Sequence, residues 1–279
     1  MLKKLCKVHN RKDFLRILLE SIRSVKHINT ALVVISIDIY DEKMNELIRE
    51  IFEIEQIVCF TIIYHPYSMA FYHDQYPAED PRDCSRGRSL DQGERLHRCK
   101  LISDQKRNLD ECNSKAKPDS YGHYREVQFS QIKLHWAWKL NFIRQKLAKN
   151  ELSFKYIVLL EEDHFLLPDA LHIAKNHILP KVEECPDNEL CLGLLGIYPK
   201  TFKLIPKNDG ITKSIWISGK HNMGMIVTVK WIDNLVKNAD LFCNHDDYNW
   251  DFSLMKVSQG KVIKGQMRSL KVFQAKIGE

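Results

Sequence analysis

The stretch that most constrains this chain is the apolar run over residues 156–160, Tyr-Ile-Val-Leu-Leu, which ends in Glu161, Glu162, Asp163 and His164. An apolar, partly β-branched segment of that length reads as a buried strand. In open α/β sheets, ligands bind beyond the carboxyl ends of the strands, so this one would deliver three carboxylates to that crevice. Carboxylates held so close repel one another unless a cation neutralises them. Hard divalent cations such as Mg²⁺ or Mn²⁺ take oxygen ligands and commonly bridge to phosphates. The competing reading makes the acids an N-terminal cap for a following helix, where the helix dipole favours them.

The rest of the chain supplies the sheet around that strand. Residues 11–27 carry Phe14, Leu15, Leu18, Leu19 and Ile22 at helical period, residues 30–39 read as a strand, 41–54 as a helix and 57–64 as a strand. Strand–helix–strand order predicts a parallel sheet with a right-handed crossover. Asp38, near the end of the first clear strand, would face the same crevice as Asp163. From residue 65 to about 122 the periodicity collapses, and so long an irregular stretch inside a domain is usually functional or disordered. Residues 127–149 resume as a helix with Trp136, Trp138, Leu140, Phe142 and Ile143 mostly in the core, and with Gln131, Lys133 and His135 able to project toward the sheet end. A helix over 168–178, strands over 190–198, 214–217 and 225–229, and a helix over 230–238 follow. His221, Asn222, Met223 and Gly224 form either a simple turn or a binding loop.

The segment Asp246, Asp247, Tyr248, Asn249, Trp250, Asp251, Phe252 brings carboxylates, a carboxamide and three aromatic rings into seven positions. Aromatic faces pack on the apolar faces of sugars, and a carboxylate beside a hydroxyl can take its proton as it attacks. The alternative is a helix start, with Asp246 as cap and Tyr248, Trp250 and Phe252 as core.

Composition narrows the class. A hydrophobic share of 44% and a charged share of 28% in 279 residues are ordinary for a soluble globular protein. The net charge of +6 is scattered rather than gathered into a tract, which argues against nucleic acid as a partner. No run approaches a membrane span, and Met1, Leu2, Lys3 and Lys4 have no apolar core behind them for a signal peptide. The eight cysteines are Cys6, Cys59, Cys84, Cys99, Cys112, Cys185, Cys191 and Cys243. Neither Cys84 with Cys99 nor Cys185 with Cys191 has the spacing of a zinc site, and short loops closed by cysteines suit an oxidising compartment. Incidental reduced thiols are the other reading.

In order, the chain carries Val8-His9-Asn10-Arg11, Asp38, Asp80-Pro81-Arg82-Asp83-Cys84, Tyr121-Gly122-His123-Tyr124-Arg125-Glu126 and Phe129-Ser130-Gln131. Leu160-Glu161-Glu162-Asp163-His164, His221-Asn222-Met223-Gly224 and the acid–aromatic segment follow. This series resembles the N-acetylglucosaminyltransferase II family, the alpha-1,6-mannosyl-glycoprotein 2-beta-N-acetylglucosaminyltransferases, from about Val8 to about Val257. The resemblance implies an α/β fold of the GT-A, Rossmann-like kind, with a mixed, mostly parallel sheet. It implies a catalytic domain over residues 1–259, followed by a divergent tail over 260–279. It also implies inverting transfer of GlcNAc from UDP-GlcNAc, with Mn²⁺, to the 2-hydroxyl of the alpha-1,6-linked mannose of the N-glycan core. The setting it implies is the lumenal side of the Golgi membrane, reached through an anchor that this chain does not show.

Residue by residue, the resemblance implies that Val8, His9, Asn10 and Arg11, with Asp38, hold the uridine and ribose. Gln131, Ile132, Lys133, Leu134 and His135 would contribute on the other side of the donor, Ile132 and Leu134 as apolar walls. Asp163 would be the protein carboxylate on the metal and Asp251 the general base, while Asn222, Tyr248 and Trp250 shape the acceptor pocket. Cys84 and Cys99 match a family disulfide, and Cys185 and Cys191 stand where the family has a more closely spaced pair. The family also implies a second metal-ligand histidine where this chain reads Lys271, Val272, Phe273, Gln274, Ala275, so that Gln274 takes its place. A C-terminal segment whose cysteine pairs at the position of Cys243 is part of the same expectation, which leaves Cys243 unpaired here. These departures motivate an alternative, a catalytically impaired relative that binds UDP-sugar or glycan without turnover.

Overall fold

The computed structural model describes residues 2–8, 11–53, 58–68, 127–149, 154–185, 190–196, 211–246, 248–259 and 270–275, with 2–8 and 270–275 described by their backbone. The strands are β1 (Leu2–Val8), β2 (Ala31–Ile37), β3 (Cys59–Tyr64), β4 (Tyr156–Glu161), β5 (Leu190–Leu194), β6 (Ile211–Ile215), β7 (Met225–Thr228) and β8 (Leu270–Ala275). They form one sheet in the order β3-β2-β1-β4-β7-β5-β8-β6. Pairing is parallel for β1–β2, β1–β4, β2–β3 and β5–β8, and antiparallel for β4–β7, β5–β7 and β6–β8. The sheet is therefore mixed with a parallel half, as expected. Residues 270–275, set apart above as part of a divergent tail, pair on both edges, with β5 and with β6.

The helices are α1 (Lys12–Ser24), α2 (Glu42–Glu53), α3 (Val127–Ala148), α5 (Val229–Lys237), α6 (Ala239–Cys243) and α7 (Trp250–Gln259). Between α3 and α5, α4 runs through Ala170–Ile173, a π turn over Ala174–Ile178, and Leu179–Glu183. The helix predicted to stop near 178 continues because the wider π turn and a proline at the start of the next turn follow one another. A proline there gives up only an amide hydrogen that a first turn leaves unpaired.

Alternation along each strand sorts the sheet's side chains between two layers. Val33, Ile35 and Ile37 of β2, Val158 and Leu160 of β4, and Ile226 of β7 join the cluster with α1, α2 and α4. Val34, Ile157, Leu159, Met225 and Val227 point to the other face, with Trp136 and Leu140 of α3, Trp231 and Ile232 of α5, and Leu254 of α7. In α1, Leu15, Leu18, Leu19 and Ile22 are all fully buried, the spacing that an amphipathic helix lays on a sheet.

Register then fixes the functional edge. Val8 lies opposite Ile37, Ile37 opposite Tyr64, and Lys7 opposite Glu161, so β1 to β4 end together. Because β7 is antiparallel to β4, with Leu159 opposite Met225, the residues just before Met225 reach that same edge.

Gly193 lies at a close approach between β5 and α4, where an added Cβ would sit 2.2 Å from Ile178 Cγ2 and 3.3 Å from Ile226 Cβ. Gly193→Ala should lower stability by about 1–3 kcal/mol. Combining it with Ile178→Ala, which removes the opposing methyl, should cost less than the sum of the two single changes in a denaturant double-mutant cycle. Additive costs would show that the contact is not what limits this position.

Candidate functional site

The acids after β4 do not cap a helix. The next helix begins only at Ala170, with Asp169 at its N-cap. Instead the chain turns back on itself: His164 N–H donates to Glu161 O at 3.1 Å and Glu161 N–H donates to His164 Nδ1 at 3.3 Å. One ligand atom each from Glu161, Asp163 and His164 lie within 4.8 Å of one another. Two carboxylates and an imidazole form a hard-to-borderline donor set suited to a divalent cation. Burial holds the His164 pKa below its ordinary value, against the pull of Glu161 and Asp163 upward. That favours the neutral ring, whose one acceptor nitrogen is here Nδ1, shared with the Glu161 N–H.

Glu162 points the other way, with a side chain only 3% exposed, and accepts from Arg11 Nε at 2.9 Å. Arg11 Nη1 also lies 3.7 Å from Asp163 Oδ2. The guanidinium thus compensates a buried carboxylate that would otherwise be costly and moderates the charge beside it. Of the residues expected around the donor, the Val8 side chain, His9 and Asn10 lie outside the described residues.

Asp38 follows β2 at the same edge, as predicted, but it is 2% exposed and faces inward onto two imidazoles. His65 Nδ1 is 3.1 Å from Asp38 Oδ1 and His135 Nδ1 is 3.5 Å from the same oxygen. The rings stack at 5.0 Å with an interplanar angle of 13°, and His135 Nε2 meets Ser36 Oγ at 2.6 Å. Sequence reading missed His65. Its place directly after β3, level with Asp38 after β2, was the signal that would have found it.

The expectations for α3 divide. Ile132 lines the pocket described below. Gln131 and His135 are buried, whereas Leu134 is 41% exposed and is not among the pocket's lining residues. Lys133, expected beside the donor, is 4% exposed, and its Nζ donates to the carbonyls of Cys243, His245 and Asp246 at 3.2, 2.7 and 2.6 Å. Its observed contacts tie α3 to the turn that leads into α7. Asp246, at φ +42°, completes that turn by accepting from the backbone N–H of Tyr248 and Asn249 through Oδ1. At Trp250 the core reading holds, since the ring is 8% exposed and stacks on Trp136 at 4.6 Å, and the same residue lines the pocket, whereas Phe252, expected as core, is 39% exposed.

That pocket, of about 200 Å³, is lined by Ile132, Glu161, Asn222, Tyr248, Asn249, Trp250 and Asp251. It brings Glu161, at the end of β4, and Asp251 to one opening. Asp251 Oδ2 accepts from Ser218 Oγ at 2.7 Å and from Asn222 Nδ2 at 3.0 Å. Cys185 and Cys191 form a disulfide, Cys59 and Cys243 are free and exposed among the described residues, and Cys84 and Cys99 lie outside them. Gln274 takes its place in β8 opposite Leu194 and Thr212, with its side chain outside what is described. Among the described residues no helix is long and apolar enough to cross a membrane.

A family model described as N-acetylglucosaminyltransferase II (MGAT2) matches residues 4–278. The Homo sapiens alpha-1,6-mannosyl-glycoprotein 2-beta-N-acetylglucosaminyltransferase is 34% identical over 247 residues, which cover 88% of this chain and 51% of that protein. A relative of the same name from Arabidopsis thaliana is 29% identical over 249 residues, 88% of this chain and 50% of its own length. The chain therefore spans about half the length of the curated relatives it matches. Among solved structures, S. aureus TarS 1-349 aligns over 98% of this chain and 60% of its own at 8% identity and a TM-score of 0.44, a likeness too loose to build on.

The loop behind Asp251 carries a pH dependence. His221 is 4% exposed, its Nδ1 accepts from Ile217 N–H at 2.9 Å, and its own carbonyl accepts from Trp216 Nε1 at 2.8 Å. Burial, with a smaller push from Lys220, lowers its pKa to about 4. The folded state therefore prefers the neutral ring, and the unfolded state, near 6.5, takes up the proton first. Stability from this residue should be complete above pH 6.5 and fall by about 2 kcal/mol as the pH drops toward 4. Chemical denaturation across that range should show a flatter dependence in His221→Gln, and identical slopes would remove His221 as the cause.

Proposed function

This chain belongs to the N-acetylglucosaminyltransferase II family, and from that premise we propose that it transfers GlcNAc from UDP-GlcNAc to the 2-hydroxyl of the alpha-1,6-linked mannose of the N-glycan core, with inversion. The observation that carries this reading is the pocket shared by Glu161 and Asp251, with Asp163 and His164 beside Glu161. A donor's diphosphate suits the side where cation ligands gather, and an acceptor hydroxyl suits the side where a lone carboxylate waits.

In this mechanism Asp163, with Glu161 and His164 in reach, would hold a divalent cation, proposed as Mn²⁺. When bound, such a cation screens the charge that builds on the departing nucleotide. Asp251 accepts the proton of the acceptor hydroxyl as its oxygen bonds to the anomeric carbon, and the bond from that carbon to the diphosphate breaks on the opposite face. The transition state has oxocarbenium character, as in glycoside cleavage. Trp250 and Tyr248 offer ring surface to the sugar, and Ile132 closes the apolar side of the pocket. A Golgi-lumenal setting is part of the proposal, supported by the Cys185–Cys191 disulfide, which needs oxidising surroundings.

The test is transfer of labelled GlcNAc from UDP-GlcNAc to a mannose-terminated core glycan, with Mn²⁺ and with chelator. Turnover should require the metal. Asp251→Asn should lower kcat by about 10²–10⁴-fold, the range that a positioned general base supplies. Asp163→Ala should remove the response to Mn²⁺. Full activity in Asp251→Asn, or no transfer by the unaltered chain with Mn²⁺, would overturn the reading.

A further inference from the structure

We propose that Ser218 is a positioning residue for the Asp251 carboxylate, working with Asn222 to fix the lone pair that meets the acceptor hydroxyl. The inference rests on the reading of Asp251 as the base and assigns a residue to which that reading gives no role.

A carboxylate offers about four acceptor sites on its two oxygens. On Asp251, Oδ1 accepts from the backbone N–H of Phe252 at 3.0 Å, and Oδ2 accepts from both Ser218 Oγ at 2.7 Å and Asn222 Nδ2 at 3.0 Å. Three of the four sites are thus spoken for, and the carboxylate plane is set from two directions. The terminal torsion of an aspartate is otherwise broad, so an untethered Asp251 would present the wrong lone pair much of the time. Positioning of this kind raises the rate of a bound substrate's reaction without tightening donor binding.

Ser218 is delivered to Asp251 from a loop that is rigid for its own reasons. Lys220 and His221 N–H both donate to Ile217 O, at 3.3 and 3.1 Å. Ile217 N–H donates back to His221 Nδ1, and the buried Trp216 donates to His221 O. Gly219 makes the turn possible at φ +72°, a left-handed conformation that side chains disfavour. These contacts close residues 216–221 without any help from Asp251, which lies 33 positions away from Ser218. The loop that presents the hydroxyl is thus closed by contacts independent of the base, as suits an orienting group.

Valine and threonine share a shape and differ by the hydroxyl, so they separate positioning from packing. In the labelled-transfer assay on the full chain, Ser218→Val should lower kcat by about tenfold, the lower end of what one hydrogen bond to a charged group supplies. Its KM for UDP-GlcNAc should not move, and Ser218→Thr should stay within about twofold of the unaltered chain. Wild-type kcat in Ser218→Val overturns the proposal, and so does an equal loss in both variants with a matching fall in Tm, since that is what a packing role would give. Asp251→Asn separates the two levels: if it keeps full activity the base assignment fails, and if it is inactive while Ser218→Val keeps wild-type kcat, only the positioning role fails. Should the unaltered chain transfer nothing, crystal structures of the two variants still decide. The Asp251 carboxylate should rotate in Ser218→Val and not in Ser218→Thr, and an unrotated carboxylate in the valine variant counts against the role of Ser218.

Discussion

Everything at the site depends on how β4 pairs with β7. The pairing is antiparallel and places Tyr156 against Thr228, Ile157 against Val227, Val158 against Ile226 and Leu159 against Met225. Because β1 to β4 are parallel and end in step, a parallel β7 would send its leading loop to the far edge of the sheet. Antiparallel pairing turns that loop over, so His221 to Gly224 arrive beside Glu161. A one-residue slip would be resisted strongly. It would move Met225 and Val227 from the layer of α3 and α5 to that of α1 and α4, and Ile226 the opposite way. The geometry of the pocket is thus guarded by the hydrophobic alternation of two strands, of which only the last residue of β4, Glu161, lines it.

A second constraint is the number of charged groups the fold buries near this edge. Burying a charge without a partner is costly, and a partner is effective only when its geometry is good. Glu162 meets this with the Arg11 guanidinium, Lys133 with three carbonyls, and Asp38 with the imidazoles of His65 and His135. Each solution links elements distant in sequence: the start of α1 to the end of β4, α3 to the turn before α7, and β2 to both β3 and α3. A buried charge is costly when its partner is removed, so these contacts specify the arrangement of loops more than they add to its stability. The wall of the pocket formed by Tyr248, Asn249 and Trp250 stands where Lys133 puts it.

Much of this was legible in the residues, and the boundary of legibility has physical causes. The runs at 31–37 and 156–161 announce themselves because a strand buried on both faces needs apolar side chains at every position. The sheet-end placement of Asp38 and Asp163 follows from strand polarity alone. Helix α3 is different, because it presents Trp136 and Leu140 to one set of neighbours and buries Gln131, Lys133, His135 and Lys139 against others. A helix engaged around much of its circumference shows no apolar stripe, so spacing could not say which of its polar groups faced a ligand. Leu134, which the resemblance implies as an apolar wall on the donor side, is 41% exposed and outside the lining of this pocket, while Lys133 holds a turn. The strand at 270–275 escaped because Leu270, Lys271, Val272, Phe273, Gln274 and Ala275 carry too weak an alternation to stand out, and its place is conferred by pairing with β5 and β6.

The path from one side of the pocket to the other can be followed bond by bond, and it is short. From Glu161 it crosses the ladder at Leu159 and Met225 to β7. It continues through Gly224, whose φ of +61° turns the chain and whose missing Cβ lets it approach Leu195, to a carbonyl that accepts from Leu195 N–H at 3.0 Å. Asn222 stands two residues before that glycine and donates directly to Asp251. His221, immediately before it, locks the turn that presents Ser218 to the same carboxylate oxygen. Sheet pairing, a left-handed glycine and a buried imidazole therefore lie in series between Glu161, beside Asp163 and His164, and the Asp251 carboxylate. A reaction that needs both ends at one substrate gains from a connection with so few rotatable steps, because each step left free would spread the distance between them.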